Sequence, residues 1–245
     1  MLLWQLQIMY EKMDKIDQVC KKVFPLGYQI AIHGDLVSGR ANISTGQAAL
    51  IGTVNQAAIG VDLAFELASK VLDIVKHSPG MPIIILVDTQ GQKLSRRDEL
   101  LGNAGFLSHL SKCFEVARDR GHRIISIIYN EAVSGGYLAL GMIADQSFAL
   151  SDAQIRVMAL PAMSRITQIP LERLEELCKS SSIFGPGPEN YVALGALEDI
   201  DDVRLAALVE AAISNTSIID HRAKLGYQRG GRKIAHNVID LIIRA

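Results

Sequence analysis

Two adjacent glycines set between a buried strand and an apolar helix leave a chain few ways to fold. Here they are Gly135 and Gly136, inside RIISIIYNEAVSGGYLALGMIADQSFAL, residues 123–150. Arg123 to Tyr129 is β-branched and apolar without clean alternation, the pattern of a strand covered on both faces, and Asn130 to Ser134 breaks it. Tyr137 to Ala144 is apolar on every side and predicts an interior helix, whose first N–H groups have no intrahelical acceptor. Glycines at such a start let a ligand oxygen approach the peptide N–H groups, and the helix dipole favours negative charge there. The outline is an oxyanion hole. A glycine pair also serves plain close packing, but a turn that follows a parallel strand lies where open α/β sheets bind ligands.

The flanking pattern extends this. PIIILVD, Pro82 to Asp88, predicts a second central strand, Thr89 to Arg97 a loop, and Asp98 to Arg120 a long helix running into the strand at Arg123. Upstream, Tyr28 to His33 and Ala48 to Val54 read as strands around a turn-rich Gly34 to Gly46, and Val61 to His77 as a helix. Successive strand–loop–helix units imply right-handed crossovers and an α/β fold with a parallel sheet, expected as a single domain over residues 1–245. Downstream, Gln146 to Leu150 and Ile155 to Met158 read as short strands, Leu171 to Lys179 as a helix, Phe184 to Glu189 as a Gly/Pro turn, and Val203 to Ser214 and Lys233 to Arg244 as closing helices. At the other end, Leu6, Met9, Met13, Ile16, Cys20 and Val23 recur at helical spacing and predict an amphipathic helix at about 2–24, its stripe facing either its own domain or a partner.

Near balance between 25 basic and 26 acidic side chains gives no global electrostatic case for nucleic acid or an anionic membrane. No stretch reads as a membrane span or a secretory signal, so a cytoplasmic protein is expected. Cys20, Cys113 and Cys178 are far apart in sequence and suggest neither a disulfide framework nor a zinc site. No GxGxxG, GxxxxGK[ST] or HExxH occurs, so no metal or nucleotide is expected on the chain.

The side chains that can carry chemistry group around the turn. Asp88 ends one strand and Glu131 lies just before the glycines, each fit for acid–base work or for holding a loop. Arg96 and Arg97 are candidates to bind a substrate carboxylate or phosphate, with Tyr137 beside them, and the Arg229 to Lys233 run is a small basic patch. Ser134 is a candidate nucleophile only if folding brings it a base, and it lacks the preceding glycine of a nucleophile elbow.

With PIIILVDTQGQ, the EAVSGG strand–turn–helix unit and ALGALEDIDD in hand, the chain resembles the carboxyltransferase branch of the crotonase superfamily from about Tyr28 to Val203. Within it, the chain is most similar to the γ subunits of biotin-independent malonate decarboxylases. The resemblance implies a crotonase-like fold of repeated ββα units. It also implies a homologous β subunit as heterodimer partner, each half contributing an oxyanion hole; here that role falls to the backbone N–H groups of Gly135 and Gly136. It further implies decarboxylation of a malonyl thioester on an acyl carrier protein subunit, the carrier holding a CoA-like prosthetic group and this chain holding no cofactor. Gln90 stands where carboxyltransferase halves usually carry proline, and ALPAMSR, residues 159–165, where they carry an SPEG-like segment. Those departures fit a decarboxylase that needs no biotin. The alternatives are a carboxyltransferase half of a biotin-dependent carboxylase, a noncatalytic scaffold subunit and, more remotely, a serine hydrolase.

Overall fold

The computed structural model describes residues 15–180, 185–217 and 219–244. Residues 15–23 form helix α1, and the rest of the expected N-terminal helix lies outside the described residues. Ile16, Cys20 and Val23 from its stripe are buried against the sheet, so this part covers its own fold.

One sheet of eight strands organises the rest. Strands β1 (Tyr28–His33), β2 (Leu36–Ile43) and β3 (Gly46–Thr53) form an antiparallel meander. Strand β2 occupies the segment expected as a loop. Gly34 and Gly46 do take left-handed turn conformations, yet Leu36, Val37, Ala41 and Ile43 between them are buried. Apolar positions pairing with both neighbours outweighed the glycine and serine content of this stretch.

The sheet then turns parallel. Strand β5 (Ile83–Gln92) pairs along its first half with β3 and along its second half with the short β4 (Ala57–Ile59), while β6 (Ile124–Val133) pairs with β7 (Gln146–Ala149) and then β8 (Gln154–Arg156). Each central strand thus changes neighbours midway, the backbone form of a repeated ββα unit. Alternate residues of β5 enter two cores. Ile83, Ile85 and Val87 face α2 (Val61–His77) and α4 (Asn103–Asp119), whereas Ile84 and Leu86 face α1 and α9 (Leu205–Ser214). Burial on both faces is why this strand shows no alternation.

The long helix expected over Asp98 to Arg120 is two, α3 (Arg96–Leu100) and α4, separated by Gly102 at φ +77°. Asp98 explains the break. It is buried, accepts the Val61 N–H at the start of α2 from 2.9 Å and bonds with Ser95, so α3 is pinned beneath α2 and α4 must restart. The interior helix α5 is displaced from the expected Tyr137 to Ala144: it begins at Ser134, takes in both glycines and ends at Leu140. Also unforeseen were β4, α6 (Leu160–Thr167), α8 (Pro188–Ala193) and α10 (Arg222–Gln228), all short; α7 (Leu171–Ser180) and α11 (Lys233–Arg244) lie where expected. The Phe184 end of the expected Gly/Pro turn falls outside the described residues. Among the described residues no helix is long and apolar enough to cross a membrane.

Candidate active site

The glycine turn sits at the carboxyl ends of β5 and β6, and its shape is set by backbone meeting backbone. Gly91 on β5 has φ +108°, which a side chain would strain. A Cβ on Gly136 would lie 2.7–2.9 Å from the carbonyl carbon, Cα and oxygen of Gly91. In return, a Cβ on Gly91 would approach the Val133 carbonyl oxygen to 3.1 Å and the Ser134 Cβ to 3.4 Å. The end of β5 and the first turn of α5 interlock through two glycines, one from each. Ser134 takes φ +52°, a conformation non-glycine residues adopt at a cost, and it redirects the chain from β6 into α5.

The two glycines of the pair do different work. Gly136 is buried against Gly91, whereas Gly135 is partly exposed and its N–H donates to Gln92 Oε1 at 3.1 Å. Gln92 is therefore a site residue the sequence reading passed over. No local motif marks it, because it reaches the turn only through the parallel pairing of β5 with β6.

Asp88 organises the backbone beneath. The ladder between β5 and β6 shifts between Val87 and Thr89, so Thr89 pairs with Ala132 and β6 swells around Asp88. Its Oδ1 accepts from Asn130 Nδ2 at 2.9 Å and the Glu131 N–H at 3.2 Å, and its Oδ2 from the Gln56 N–H at 2.9 Å. Burial nevertheless prevails over these bonds and holds the carboxyl above the usual aspartate range. Protonation is then easier in the folded than in the unfolded chain. Asp88 contributes stability below its unfolded pKa, and that contribution is lost as pH rises through the folded value. A carboxyl-carbon NMR titration should place Asp88 above about 3.9, the ordinary aspartate value; a midpoint below it would contradict the burial argument.

The remaining candidates separate. Glu131 pairs with Arg156 on β8 at 3.2 Å, so its carboxylate is engaged at the sheet end. Arg97 makes two bonds to Asp62, at 2.7 and 3.0 Å, and is committed to tying α3 to α2. Arg96 is exposed and makes no ion pair among the described residues. Ser134 makes no hydrogen bond to any base among the described residues. Tyr137 faces the core, only 2% exposed, its ring edge-on to Tyr191 and its hydroxyl unpartnered; the substrate contact proposed for its side chain is not where the fold puts it. Arg229, from the basic run, donates to the carbonyls of Val192, Leu197 and Glu198 and works as a structural clamp.

Lys15 on α1 reaches the same end of the sheet, bonding Asn130 Oδ1 at 3.1 Å and Asp152 Oδ2 at 3.0 Å. Exposed apolar side chains lie on the segments that follow the strand ends in sequence: Leu94, Leu100 and Leu101 after β5, Leu138 on α5, Val157 and Ile166 after β8. Helix α11 adds Ile234, Leu241, Ile242 and Ile243, and no residue of it is buried.

Comparison with known proteins places this arrangement. The family model for the malonate decarboxylase gamma subunit matches residues 54–245. Among curated proteins, the malonyl-S-ACP:biotin-protein carboxyltransferase MADD of Malonomonas rubra is 31% identical over 206 residues, covering 75% of this chain and 70% of its own. Among solved structures, a Pseudomonas malonate decarboxylase hetero-tetramer in complex with coenzyme A superposes at TM-score 0.77 with 21% identity, covering 92% of this chain and 97% of that one. The Pseudomonas MdcD–MdcE hetero-dimer superposes at TM-score 0.72 with 22% identity, covering 92% and 96%. The architecture is the crotonase-like fold of the carboxyltransferases.

Proposed function

Because the chain belongs to the malonate decarboxylase gamma subunit family, we propose that it supplies one half of a site, built with a homologous β subunit, that removes CO2 from a malonyl thioester carried by an acyl carrier protein subunit. The carrier's CoA-like group brings the substrate and belongs to the carrier, not to this chain.

The observation that carries the reading is the donor-bearing turn at Ser134–Gly136, interlocked with Gly91 and opening beside exposed leucines. Decarboxylation leaves an enolate, and fixed neutral donors at the acyl oxygen lower the barrier without stabilising the ground-state carboxylate to the same degree. Arg96, unpaired and following β5, is suited to orient the carboxylate that leaves. The exposed apolar side chains after the strand ends support burial against the β subunit, as does α11, none of whose residues is buried.

The test is reconstitution. Purified alone, the chain should not turn over malonyl carrier; with the β subunit and the carrier it should release CO2 and form acetyl carrier, unaffected by avidin. Full activity of the single chain would overturn the shared site. A second reading has its own support, since the 31% identical relative is a carboxyltransferase to biotin protein. Inhibition by avidin, with carboxyl transferred to biotin instead of released, would favour it.

A further inference from the structure

We propose that the donor this turn presents to substrate is the side-chain amide of Gln92, with the Gly135 N–H acting on the substrate through it. The inference rests on the reading above and assigns the contact within that site. A backbone N–H can donate only to the oxygen of a carboxamide, so the 3.1 Å bond from Gly135 fixes Oε1 toward the turn and leaves Nε2 on the opposite side. Nε2 has no partner among the described residues, and Gln92 is only partly buried. Its base is held too. Gln92 pairs with Ile59 of β4, the following N–H of Lys93 donates to the Ile59 carbonyl at 2.9 Å, and Gly91 at φ +108° sets the chain direction just before it.

The two glycines cannot serve equally as open donors in this geometry. Gly136 is buried against Gly91, and the Gly135 N–H is already satisfied, so an arriving oxygen would first have to displace the Gln92 amide. The same bond makes displacement unnecessary. An amide accepting at its oxygen is polarised and donates more strongly from its nitrogen, so the turn's donor strength passes one side chain outward. In the reaction the bond from the α carbon to the carboxylate breaks and CO2 leaves. The electron pair stays on the α carbon and spreads to the acyl oxygen, and a water molecule then gives the α carbon a proton in place of the lost carboxylate, leaving hydroxide that combines with CO2 as bicarbonate. Nε2–H of Gln92 donates to that oxygen as its charge grows.

Two variants in the reconstituted complex test this. Gln92→Glu keeps an acceptor for the Gly135 N–H and nearly the same shape but has no donor, so kcat should fall about hundredfold with KM little changed and the complex intact. Gln92→Ala frees the Gly135 N–H without placing it at the same reach, and kcat should fall about tenfold. Amide exchange supplies a readout independent of turnover: protection of the Gly135 N–H should persist in Gln92→Glu and drop in Gln92→Ala. Gln92→Ala turning over at or above the wild-type rate would show a mere placeholder and overturn the proposal. So would Gln92→Glu raising KM while kcat holds, which would mean contact with the ground-state carboxylate. Failure of the wild-type complex to decarboxylate would remove the parent reading and this one together. Normal turnover by Gln92→Glu beside an active wild type removes this one alone.

Discussion

Gly136→Val is expected to cost the chain stability, not just rate. The sequence alone suggests this substitution as a probe of an oxyanion donor, with Gly141→Val as a packing control. The structure changes that expectation. A Cβ at Gly136 meets three backbone atoms of Gly91 at 2.7–2.9 Å, and Gly91 is held in the ladder with β4 through its pairing with Ala58. Overpacking against backbone of this kind costs about 3 kcal/mol or more, roughly a 10 °C fall in melting temperature at this chain length. Gly141 is no neutral control, since its Cβ would press the Tyr137 ring at 2.7 Å. The informative partner is Gly135→Ala, whose Cβ meets only the Gln92 amide, at 3.1 Å. It should melt within about 2 °C of wild type, a surface-scale change, and bind the β subunit. Thermal melts and partner binding measured side by side check both; a Gly136→Val chain that melts with the wild type would refute the interlock.

The second large effect separates two neighbouring arginines. Arg96→Ala should leave stability unchanged and lower kcat/KM of the assembled complex by about a hundredfold, the equivalent of losing a charge-assisted contact of about 3 kcal/mol. Arg97→Ala should do little to turnover. Its guanidinium is spent on Asp62, and that pair is more than half exposed on both sides, where solvent screening leaves its loss little felt. Equal losses in both variants would show that the segment is read as one basic patch, and losses in neither would remove it from substrate binding. Steady-state kinetics on malonyl carrier decides among these outcomes.

Much of this was legible in the sequence because the signals were local. The doubly buried strands announced themselves as unbroken apolar runs, and Val61–His77, Tyr28–His33 and Lys233–Arg244 match their sequence limits because each is bounded by glycine, proline or a polar turn. The turn from strand to helix at the glycine pair was legible, but the packing that distinguishes the two glycines was not. That Gly136 is glycine for Gly91 and that Gly135 faces Gln92 depends on register between strands, which no spacing within one segment reveals. Asp98 misled for the same reason. It reads as the start of a long helix, yet it is buried beneath the first turn of another helix, and the short helix that contains it ends before Gly102. Periodicity could not place Tyr137: on a helix apolar all round, nothing in the sequence says which side meets the core.

The interlock of Gly91 with Gly136 also dictates when the site can come into being. Its two halves are separated by a helix–turn–helix stretch and a full parallel crossover, so the turn has no shape until β5 and β6 have paired over long sequence distance. Parallel pairings of this kind are slow to form, because loop closure must precede the contacts that reward it. A refolding chain should therefore recover helix signal and much of its antiparallel meander first, and acquire the ability to support turnover with its partner only in the last phase. Catalytic competence in this subunit doubles as a clock for the end of folding, and a partner added early would meet a surface whose central turn is not yet made.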